Sequence, residues 1–574
     1  MKGNTNIEET LMTTLLKNGK VVNVFTNSLM EANVLFDDSG IILGVGDYDS
    51  ADRVIDCSNK ILSPSFIDGH IHIESTMLTP KELARVCMAH GTGAIIADPH
   101  EIANVAGNDG IRYMLEASAG LPMKIFFMLP SCVPATPIDE SGAILRARDL
   151  EPWYENPRVL GLAEMMNYPG VIHEDVQVLA KIKSALSHGK IVNGHAPLLR
   201  GKDLDAYIAK GIYDDHECSS FSEAKERIEK GQWVMIREGT TAHNLEGLIG
   251  LFEEPYCYRC LLVADDQHAK DLLETGHIDH VIRKAVSLGE DPIIGIRMAS
   301  LQAAQHFGLQ GLGAIAPGYK ADILVLDSLE NVDVRDVYLD GRLVVKDKVT
   351  LPFHMREVNG FLRERMLDTI HFEKVRAEDF LVAERPLPAR IIDIVPGGLL
   401  TNVLLQPLDF SKGNGIDVKN DILKVAVVER HRSTGHIGIG FIHGIGLKRG
   451  AIASSCSHDS HNVVAIGMRE QDIAFAVNHV KKMRGGFVVV DGGHVLAELP
   501  LPLGGIMSEE KAEVVASQNE AVRKASQTLG VPTNIEPFML MAFMCLSVIP
   551  HLKITTLGLV DVDRHALAPL YKED

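Results

Sequence analysis

The residues of this chain that could do chemistry are histidines and carboxylates at the ends of short apolar segments. His70 and His72 are separated by one residue, so within a strand both imidazoles would point to the same face. Four further candidates close or follow an apolar segment: Glu164, His195, His216 and Asp265. Neutral imidazoles and carboxylates suit Zn²⁺, Mn²⁺ or Fe²⁺, and no soft thiolate stands among them to select copper. A lone histidine is more often a hydrogen-bonded core residue, but six such residues in register would be costly to bury without a metal.

The elements that must position these residues lie between residues 64 and 307. Eight apolar segments there are each followed by polar or helix-forming sequence: FIDGHIHIE, GAIIADPHE, KIFFMLPSC, VLGLAEMMN, KIVNGHAP, IYDDHECSS, WVMIREGT and CLLVADDQH. Eight such alternations predict a (β/α)₈ TIM-like barrel more readily than an open sheet. Because the carboxyl ends of barrel strands converge on one mouth, we expect the six candidates to meet there.

Both flanks of the predicted barrel have the pattern of short β strands. Alternating segments fill residues 15–62, and β-type sequence returns at 313–347, where Asp340-Gly341 indicates a two-residue hairpin turn. We therefore expect residues 1–63 and 308–350 to build one composite β sandwich from both sides of the barrel segment.

Two further regions complete the predicted α/β architecture. Residues 351–384 are charged and mixed in pattern, which indicates a connecting segment. Residues 385–574 predict a C-terminal α+β domain, with strands KVAVVERH and GGFVVVDGGHVLAEL and a helix around 508–528.

Composition excludes several classes of partner. The formal net charge of −20 argues against nucleic acid and anionic membranes, because both repel a polyanion. No apolar stretch reaches the roughly 18 residues of a membrane span, and the amino-terminus has no signal-peptide core. The eight cysteines are scattered rather than arranged as a disulfide framework. These features predict a cytoplasmic protein, and a homodimer is the expected assembly.

The motif PSFIDGHIHIES, followed by single ligands at strand ends, resembles the amidohydrolase superfamily. The resemblance implies a (β/α)₈ barrel with a flanking β sandwich. Many members bridge two metals with a carboxylated lysine on the fourth strand. The fourth segment here, VLGLAEMMN, has no lysine, so the resemblance implies that Glu164 takes the bridging role.

Nine blocks in order are similar to the adenine deaminase family: PSFIDGHIHIEST, IIADPHEIANV, PSCVPAT, GLAEMMN, NGHAP, DDHE, VADD, SHDSHN and LPLGGIMS. This similarity runs almost end to end and implies adenine as the substrate in purine salvage. It also implies a binuclear divalent metal centre, with Mn²⁺ expected first and Fe²⁺ or Zn²⁺ as alternatives. Two such ions would activate a water that attacks C6 of adenine, which yields hypoxanthine and ammonia.

Roles for individual residues follow from this resemblance. Asp265 is the expected proton shuttle between the attacking water and the departing amine. His216 and Glu217 are candidates to orient or protonate the purine ring. Their alternative roles are one metal ligand and one structural carboxylate.

Three other groups keep alternatives open at this point. Asp98, His100 and Glu101 follow the second segment and fit an accessory metal site, a supporting polar network or a helix cap. Ser131 and Cys132 follow the third segment and are expected to line the base pocket. Asp459 and His461 lie in SHDSHN, which we interpret as a cover over the barrel mouth that contacts substrate, with a solvated loop as the alternative.

Two other functions compete with deamination of adenine. A hydrolase of cyclic amides, such as a dihydroorotase or hydantoinase, would share the barrel but typically carry the lysine on the fourth strand. A non-catalytic scaffold of the dihydropyrimidinase-like kind would tend to lose metal ligands, and here every expected position is filled.

Overall fold

The computed structural model describes residues 11–240, 242–395, 400–411 and 414–573. Its centre is a set of eight strands, which we number within this sheet: β1 Phe66–Ile71, β2 Thr92–Ala97, β3 Lys124–Leu129, β4 Val159–Met165, β5 Ile191–Gly194, β6 Asp214–Asp215, β7 Trp233–Arg237 and β8 Cys260–Val263. Strands β1 to β5 pair in parallel, as do β6 to β8.

Two links turn these strands into one curled parallel sheet. The Gly194 amide after β5 donates to Asp214 Oδ1 at 2.6 Å, which joins β5 to β6. The Asp265 amide donates to the His70 carbonyl at 2.9 Å, so β8 returns to β1. All eight predicted strands are therefore present, and the carboxyl ends of β1 and β8 lie side by side. We call this end of the curled sheet the mouth.

Helices follow the strands, as the alternating pattern predicts. Their bounds are Pro80–Ala89, His100–Ala106, Asn108–Ala117, Ala147–Leu150, Tyr168–Ile172, Val176–Ser187, Gly201–Ile208, Phe221–Glu229, Leu245–Leu248, Ala269–Glu274, Ile278–Ser287, Pro292–Arg297 and Ala303–His306. Local signals set these bounds: Asp175 caps the helix Val176–Ser187 by accepting from the Gln177 amide, and Gly189 follows it with a left-handed φ of 68°.

Burial on both faces explains the continuous apolar character of the central strands. Every residue of β1 and β2 is buried. One face, with Ile67 and Ile96, packs inside the curled sheet beneath the mouth. The other face, with Phe66 and Ile95, packs against the surrounding helices. Strands that are covered on both faces have continuous apolar sequences rather than alternating apolar and polar residues.

Two sheets flank the amino-terminal side of this unit. The first contains, in spatial order, Ile42–Gly46, Asn33–Asp37, Thr13–Lys17 and Arg53–Asp56. The second contains, in spatial order, Val349–Thr350, Arg342–Lys346, Val334–Leu339, Ile323–Leu326, Ile61–Pro64, Lys20–Asn23 and Ser28–Glu31. Ile323–Leu326 pairs antiparallel with Ile61–Pro64, so strands from before and after the curled sheet share one sheet.

The predicted hairpin at Asp340-Gly341 is confirmed. Leu339 stands opposite Arg342, so only these two residues form the turn. Their φ angles of 45° and 72° lie in the left-handed region, as the two-residue turn requires.

The carboxyl-terminal third is built on a separate sheet of eight strands. In spatial order these are Thr401–Gln406, Ala389–Ile394, Ile437–His443, Ile422–Val428, Val463–Gly467, Ala451–Ser454, Gly486–Asp491 and His494–Pro500. A three-stranded sheet follows, made of Leu552–Thr555, Gly558–Asp561 and Ala566–Ala568. The helices from residue 360 onward are Gly360–Leu367, Glu470–Lys482, Ala512–Thr528 and Pro537–Met544. Among all described residues, no helix has the length and apolar content needed to cross a membrane.

A buried arginine ties the ends of β5 and β6 together. Arg227 lies on the helix Phe221–Glu229 and its side chain is fully buried. Its Nε donates to Asp215 Oδ2 at 2.8 Å, and its Nη2 donates to the Ala196 carbonyl at 2.6 Å. These acceptors adjoin His216 and His195 in the chain, so Arg227 fixes the segments that carry both histidines.

Replacing Arg227 with methionine should destabilise the protein, because Asp215 is left buried without its cation. Removing one partner of a buried ion pair costs about 3–5 kcal/mol. For a domain of about 150–250 residues, that corresponds to a melting temperature lower by roughly 6–20 °C, which calorimetry measures. The matched control is Arg200→Met, since Arg200 is half exposed and should contribute no more than about 1 kcal/mol. Equal shifts in the two variants would contradict this role.

Candidate active site

The six candidate ligands of the sequence come together at the mouth. His70 lies within β1, and Glu164 lies near the end of β4. The other four follow the ends of β1, β5, β6 and β8: His72, His195, His216 and Asp265. All six are buried except His195, which is partly exposed. The parallel strands thus bring together residues that are up to 195 positions apart in the chain.

One group of ligand atoms surrounds Asp265. Asp265 Oδ1 lies 3.3 Å from His70 Nε2 and 3.1 Å from His72 Nε2. The Nδ1 of His72 lies 3.2 Å from the Asp98 carbonyl, which directs the opposite nitrogen towards Asp265. The buried Nε2 of His70 has no hydrogen-bond partner among the described residues. An orphaned imidazole nitrogen beside a carboxylate fits a metal-binding position.

A second group is centred on Glu164, whose two oxygens face different sides. Oε2 lies 2.7 Å from His195 Nδ1 and 3.1 Å from His216 Nε2. Oε1 lies 3.4 Å from His72 Nε2. Glu164 therefore stands between the two groups of histidines, where a carboxylate that bridges two cations would have to lie. Imidazole and carboxylate donors at these separations suit divalent ions of the first transition series and zinc.

An arginine that the sequence analysis did not single out connects two acidic residues of the site. Arg237 ends β7, and its Nη1 donates to Glu217 Oε1 at 2.5 Å and to Asp265 Oδ2 at 2.8 Å. Burial opposes ionisation of Glu217, but Arg237 and His195 hold the pKa of Glu217 well below its ordinary value. Glu217 also lies 3.3 Å from His216 Nε2. Arg237 also acts on Asp265, where the contacts with His70 and His72, followed by the Arg237 charge, hold the pKa of the carboxyl well below its ordinary value despite burial.

Asp68 positions the first and last strands of the site and was also missed. Its Oδ1 accepts hydrogen bonds from the amides of His70 and Ala264, both at 3.1 Å. Its Oδ2 lies 3.0 Å from His277 Nε2. This side chain fastens β1 to β8, and so sets the distance between His70 and Asp265. A single aspartate within an apolar strand carries no spacing signal that could have identified it.

A cavity of about 330 Å³ opens in front of these groups. Its polar lining includes His216, Glu217 and Asp265, and Met166 contributes to its apolar lining. The carboxyl-terminal region closes the other side with seven described residues from 458 onward: His458, Asp459, Phe543, Leu546, Val548, Ile549 and Pro550. A space of this size with a few convergent polar groups is typical of a site for a small molecule.

The four residues predicted to bind substrate lie in different places. Asp459 lines the cavity in front of Asp265. His461 lines a smaller neighbouring cavity. Ser131 and Cys132 are buried and line neither cavity among the described residues. The Ser131 hydroxyl instead donates to the Glu164 carbonyl, which is a contact behind the site.

The smaller cavity holds about 60 Å³ beside the first. Glu101, His458 and His461 form part of its polar lining, and Glu536 contributes from the segment before the helix Pro537–Met544. Both oxygens of Glu101 are engaged, one by His458 and the other by His461. Burial raises the pKa of Glu536 to about 7.

Two family models and several curated proteins match this chain. The amidohydrolase family model matches residues 61–344, and the model of the adenine deaminase C-terminal domain matches residues 399–566. Adenine deaminase 2 of Carboxydothermus hydrogenoformans is 43% identical over 561 residues, which is 97% of this chain and 96% of that protein. The adenine deaminase of Methanothrix thermoacetophila is 44% identical over 563 residues, which is 97% of both chains. A solved D-hydantoinase is 15% identical with a TM-score of 0.47, and covers 59% of this chain and 96% of its own.

The raised pKa of Glu536 predicts a pH-dependent gain in stability when this carboxyl group is removed. An acid whose pKa is raised on folding stays protonated longer in the folded state, so the contribution of Glu536 to stability falls as pH rises from about 4.5 through about 7. Glu536→Gln should therefore melt at a higher temperature than wild type at pH 8, and this advantage should shrink towards pH 5. At pH 8 the full advantage is roughly 3 kcal/mol, because the pKa rises from 4.5 to about 7 and each pKa unit corresponds to about 1.4 kcal/mol.

The exposed Glu510 offers the matched control. Glu510→Gln should have the same melting temperature as wild type at pH 5 and at pH 8. A Glu536→Gln variant that gains nothing between pH 5 and pH 8 would refute the assignment.

Proposed function

The chain belongs to the adenine deaminase family, and from this membership we propose that it hydrolyses adenine to hypoxanthine and ammonia. One observation carries the proposal at the level of the site. Five imidazoles and carboxylates face a cavity of about 330 Å³ that has both apolar and polar walls: His72, Glu164, His195, His216 and Asp265. His70 is buried beside them, and Glu164 lies at the centre of the group. That combination suits a flat, neutral heterocycle better than a charged or extended substrate.

The apolar wall of the cavity gives the base its binding surface. We propose that adenine lies between Met166 and Leu198 on the barrel side and Phe543 on the side of the carboxyl-terminal region. Phe543 offers a ring against which a purine can stack. The carboxyl-terminal region would thereby exclude bulk water from the reacting carbon.

The proposed metal centre is binuclear. His70, His72 and Asp265 would hold one divalent ion, His195 and His216 the other, and Glu164 would bridge them. When bound, such ions lower the pKa of water so that a strong nucleophile is available near neutral pH. We propose Mn²⁺ as the ion, with Fe²⁺ and Zn²⁺ as alternatives that the same donors accept.

Asp265 is proposed to move the proton that the reaction requires. The attacking water forms a bond from its oxygen to C6 of adenine and loses a proton, which Asp265 accepts, while the electron pair of the C6–N1 double bond moves onto N1. Asp265 then returns this proton to the amino group, the electron pair on N1 re-forms the double bond, and the exocyclic C6–N bond breaks so that ammonia leaves. The proton of the remaining hydroxyl group moves to N1, which gives hypoxanthine. His70, His72 and the Arg237 guanidinium on Oδ2 keep Asp265 ionised, so that it is in the form that can accept a proton.

Glu217 and Asp459 are proposed to orient the base. Glu217 lies beside His216 and is held by both nitrogens of the Arg237 fork, so its position is fixed before substrate arrives. Asp459 faces the same cavity from the carboxyl-terminal region. Ser131 and Cys132 have no place in this pocket, and we propose that Ser131 positions Glu164 through its backbone instead.

Several broader assignments belong with this proposal. We assign the curled parallel sheet and its helices as the (β/α)₈ barrel, 64–307, and the two flanking sheets as its sandwich, 1–63 with 308–350. Residues 351–384 would connect to the C-terminal domain at 385–574. A homodimer and a cytoplasmic location in purine salvage complete the proposal. Cyclic-amide hydrolysis and a non-catalytic scaffold are disfavoured by the near end-to-end similarity to proteins named adenine deaminase.

Substrate choice is the direct test of this function. With Mn²⁺ present, the protein should convert adenine to hypoxanthine, which the change in ultraviolet absorbance follows. Adenosine should react poorly, because the similarity is to proteins named for the free base adenine. Guanine and cytosine serve as controls in an assay for released ammonia. Robust turnover of adenosine without turnover of adenine would sink the assignment.

Substitution separates the metal role of the carboxylates from the proton role. Asp265→Asn keeps an oxygen donor but removes the base, so kcat for adenine should fall by about 10²–10⁴-fold. KM should change less, because the lost interaction acts mainly in the transition state. Glu164→Gln should instead lower the metal content itself, since a neutral amide is a poor bridge between two cations.

Metal analysis alongside steady-state kinetics distinguishes these outcomes. Near-native kcat in Asp265→Asn with metal bound would move the proton role to His216 or Glu217. Full metal content in Glu164→Gln would contradict the bridging role.

A further inference from the structure

A second set of ligand atoms lies beside the six described above, where the barrel meets the carboxyl-terminal region. His100 and Glu101 begin the helix His100–Ala106 after β2, and Asp459 lies in the segment before the strand Val463–Gly467. His100 Nε2 lies 3.5 Å from Glu101 Oε1 and 3.7 Å from Asp459 Oδ1. One ligand atom from each residue lies within 4.8 Å of the other two.

The orientation of His100 leaves its Nε2 free to bind a metal ion. Its Nδ1 lies 3.0 Å from Asp98 Oδ2, and its backbone amide donates to Asp98 Oδ1 at 3.1 Å. A carboxylate on Nδ1 places the ring proton there and leaves a lone pair on Nε2. That lone pair points at Glu101 and Asp459. The arrangement of carboxylate, histidine and free nitrogen is the one that supports metal-binding histidines elsewhere.

Burial makes this cluster costly without a cation. His100, Glu101 and Asp459 are 4%, 1% and 4% exposed. Asp459 Oδ2 is buried and has no hydrogen-bond partner among the described residues. A buried carboxylate oxygen without a partner is unfavourable, because the hydrogen bonds that it made to water are lost and not replaced. A bound cation would satisfy it.

The cluster is separate from the proposed binuclear centre. The edge of the His100 ring that carries Nδ1 faces Glu164, with Nδ1 lying 3.6 Å from Glu164 Oε1. Glu101 and Asp459 lie on the opposite edge, at Nε2. None of these three residues belongs to the six ligands at the mouth. His458 and His461 hold the Glu101 carboxylate from the carboxyl-terminal side, as outer partners of a metal ligand do.

We propose that His100 Nε2, Glu101 and Asp459 bind a further divalent cation that fastens the carboxyl-terminal region to the barrel. Ligand atoms on a tetrahedral ion with bonds of about 2.1 Å are roughly 3.4 Å apart, close to the separations found here. One nitrogen and two carboxylate oxygens suit Zn²⁺, Mn²⁺ or Fe²⁺, and water would complete the shell. Two ligands come from the barrel and one from the carboxyl-terminal region, so the ion would link these two regions.

Counting ions in the intact protein tests the proposal. Protein produced with added Mn²⁺ and dialysed against metal-free buffer is analysed by mass spectrometry of its elements. Asp459→Asn and Glu101→Gln should each hold one Mn²⁺ per chain fewer than wild type. This difference does not depend on how many ions the binuclear centre holds, nor on whether adenine is the substrate.

Asp139→Asn is the matched control. Asp139 is also a buried aspartate that links the barrel to the carboxyl-terminal region, through Thr136 and Ser547, but no imidazole is placed to share a metal with it among the described residues. This variant should keep the wild-type count. If Asp139→Asn loses as many Mn²⁺ ions as the other two variants, the assignment to His100, Glu101 and Asp459 is overturned. If a folded Asp459→Asn holds as many Mn²⁺ ions as wild type, no cation binds there and protonated imidazoles alone balance the carboxylates.

Crystals of the wild-type protein grown with Mn²⁺ provide a further test. Because no variant is used, a folding defect cannot affect the result. Diffraction at the manganese absorption edge should show an anomalous peak between His100, Glu101 and Asp459. A map with peaks at the mouth but none at this position would overturn the further site while leaving the proposed function intact.

Discussion

Glu164 and Asp265 are almost fully buried carboxylates, and the need to compensate their negative charge determines which groups surround them at the mouth. Removing a charge from water costs several kcal/mol unless another charge or several hydrogen bonds compensate it. Here the compensation comes from imidazoles on both sides and from the Arg237 guanidinium. The same electrostatic requirement that makes these groups expensive to bury makes the site receptive to cations. Binding of metal and stability of the folded chain are therefore coupled at this point.

The geometry that satisfies this requirement depends on the closure of the curled sheet. Asp68 and the backbone contact between His70 and Asp265 hold the first and last strands at a fixed distance. Arg227 does the same for the segments after β5 and β6. These supporting side chains lie just outside the group that contacts ligand, and they let the ligand atoms stay close together despite their mutual repulsion.

Much of this arrangement could be predicted from the sequence, because it follows from local patterns. Eight apolar segments predicted the eight strands, Asp340-Gly341 predicted a hairpin, and the polar residues after the strands predicted what meets at the mouth. Arg237 and Asp68 could not be identified, since their roles depend on partners chosen by the three-dimensional fold. Ser131 shows a related limit: its position after β3 indicates the mouth, but only packing decides that it faces the back of Glu164.

The pairing of Ile61–Pro64 with Ile323–Leu326 has a consequence for how the protein is made. Residue Ile61 leaves the ribosome long before its partner Leu326, by roughly ten seconds to a minute at typical rates of synthesis. During that interval one edge of Ile61–Pro64 has no neighbour, and such an edge can pair with other chains. The nascent chain must therefore shield this edge or be shielded by a chaperone until the returning strand arrives. Ile323–Leu326 is thus the strand that joins the early amino-terminal strands to the three later strands of the same sheet.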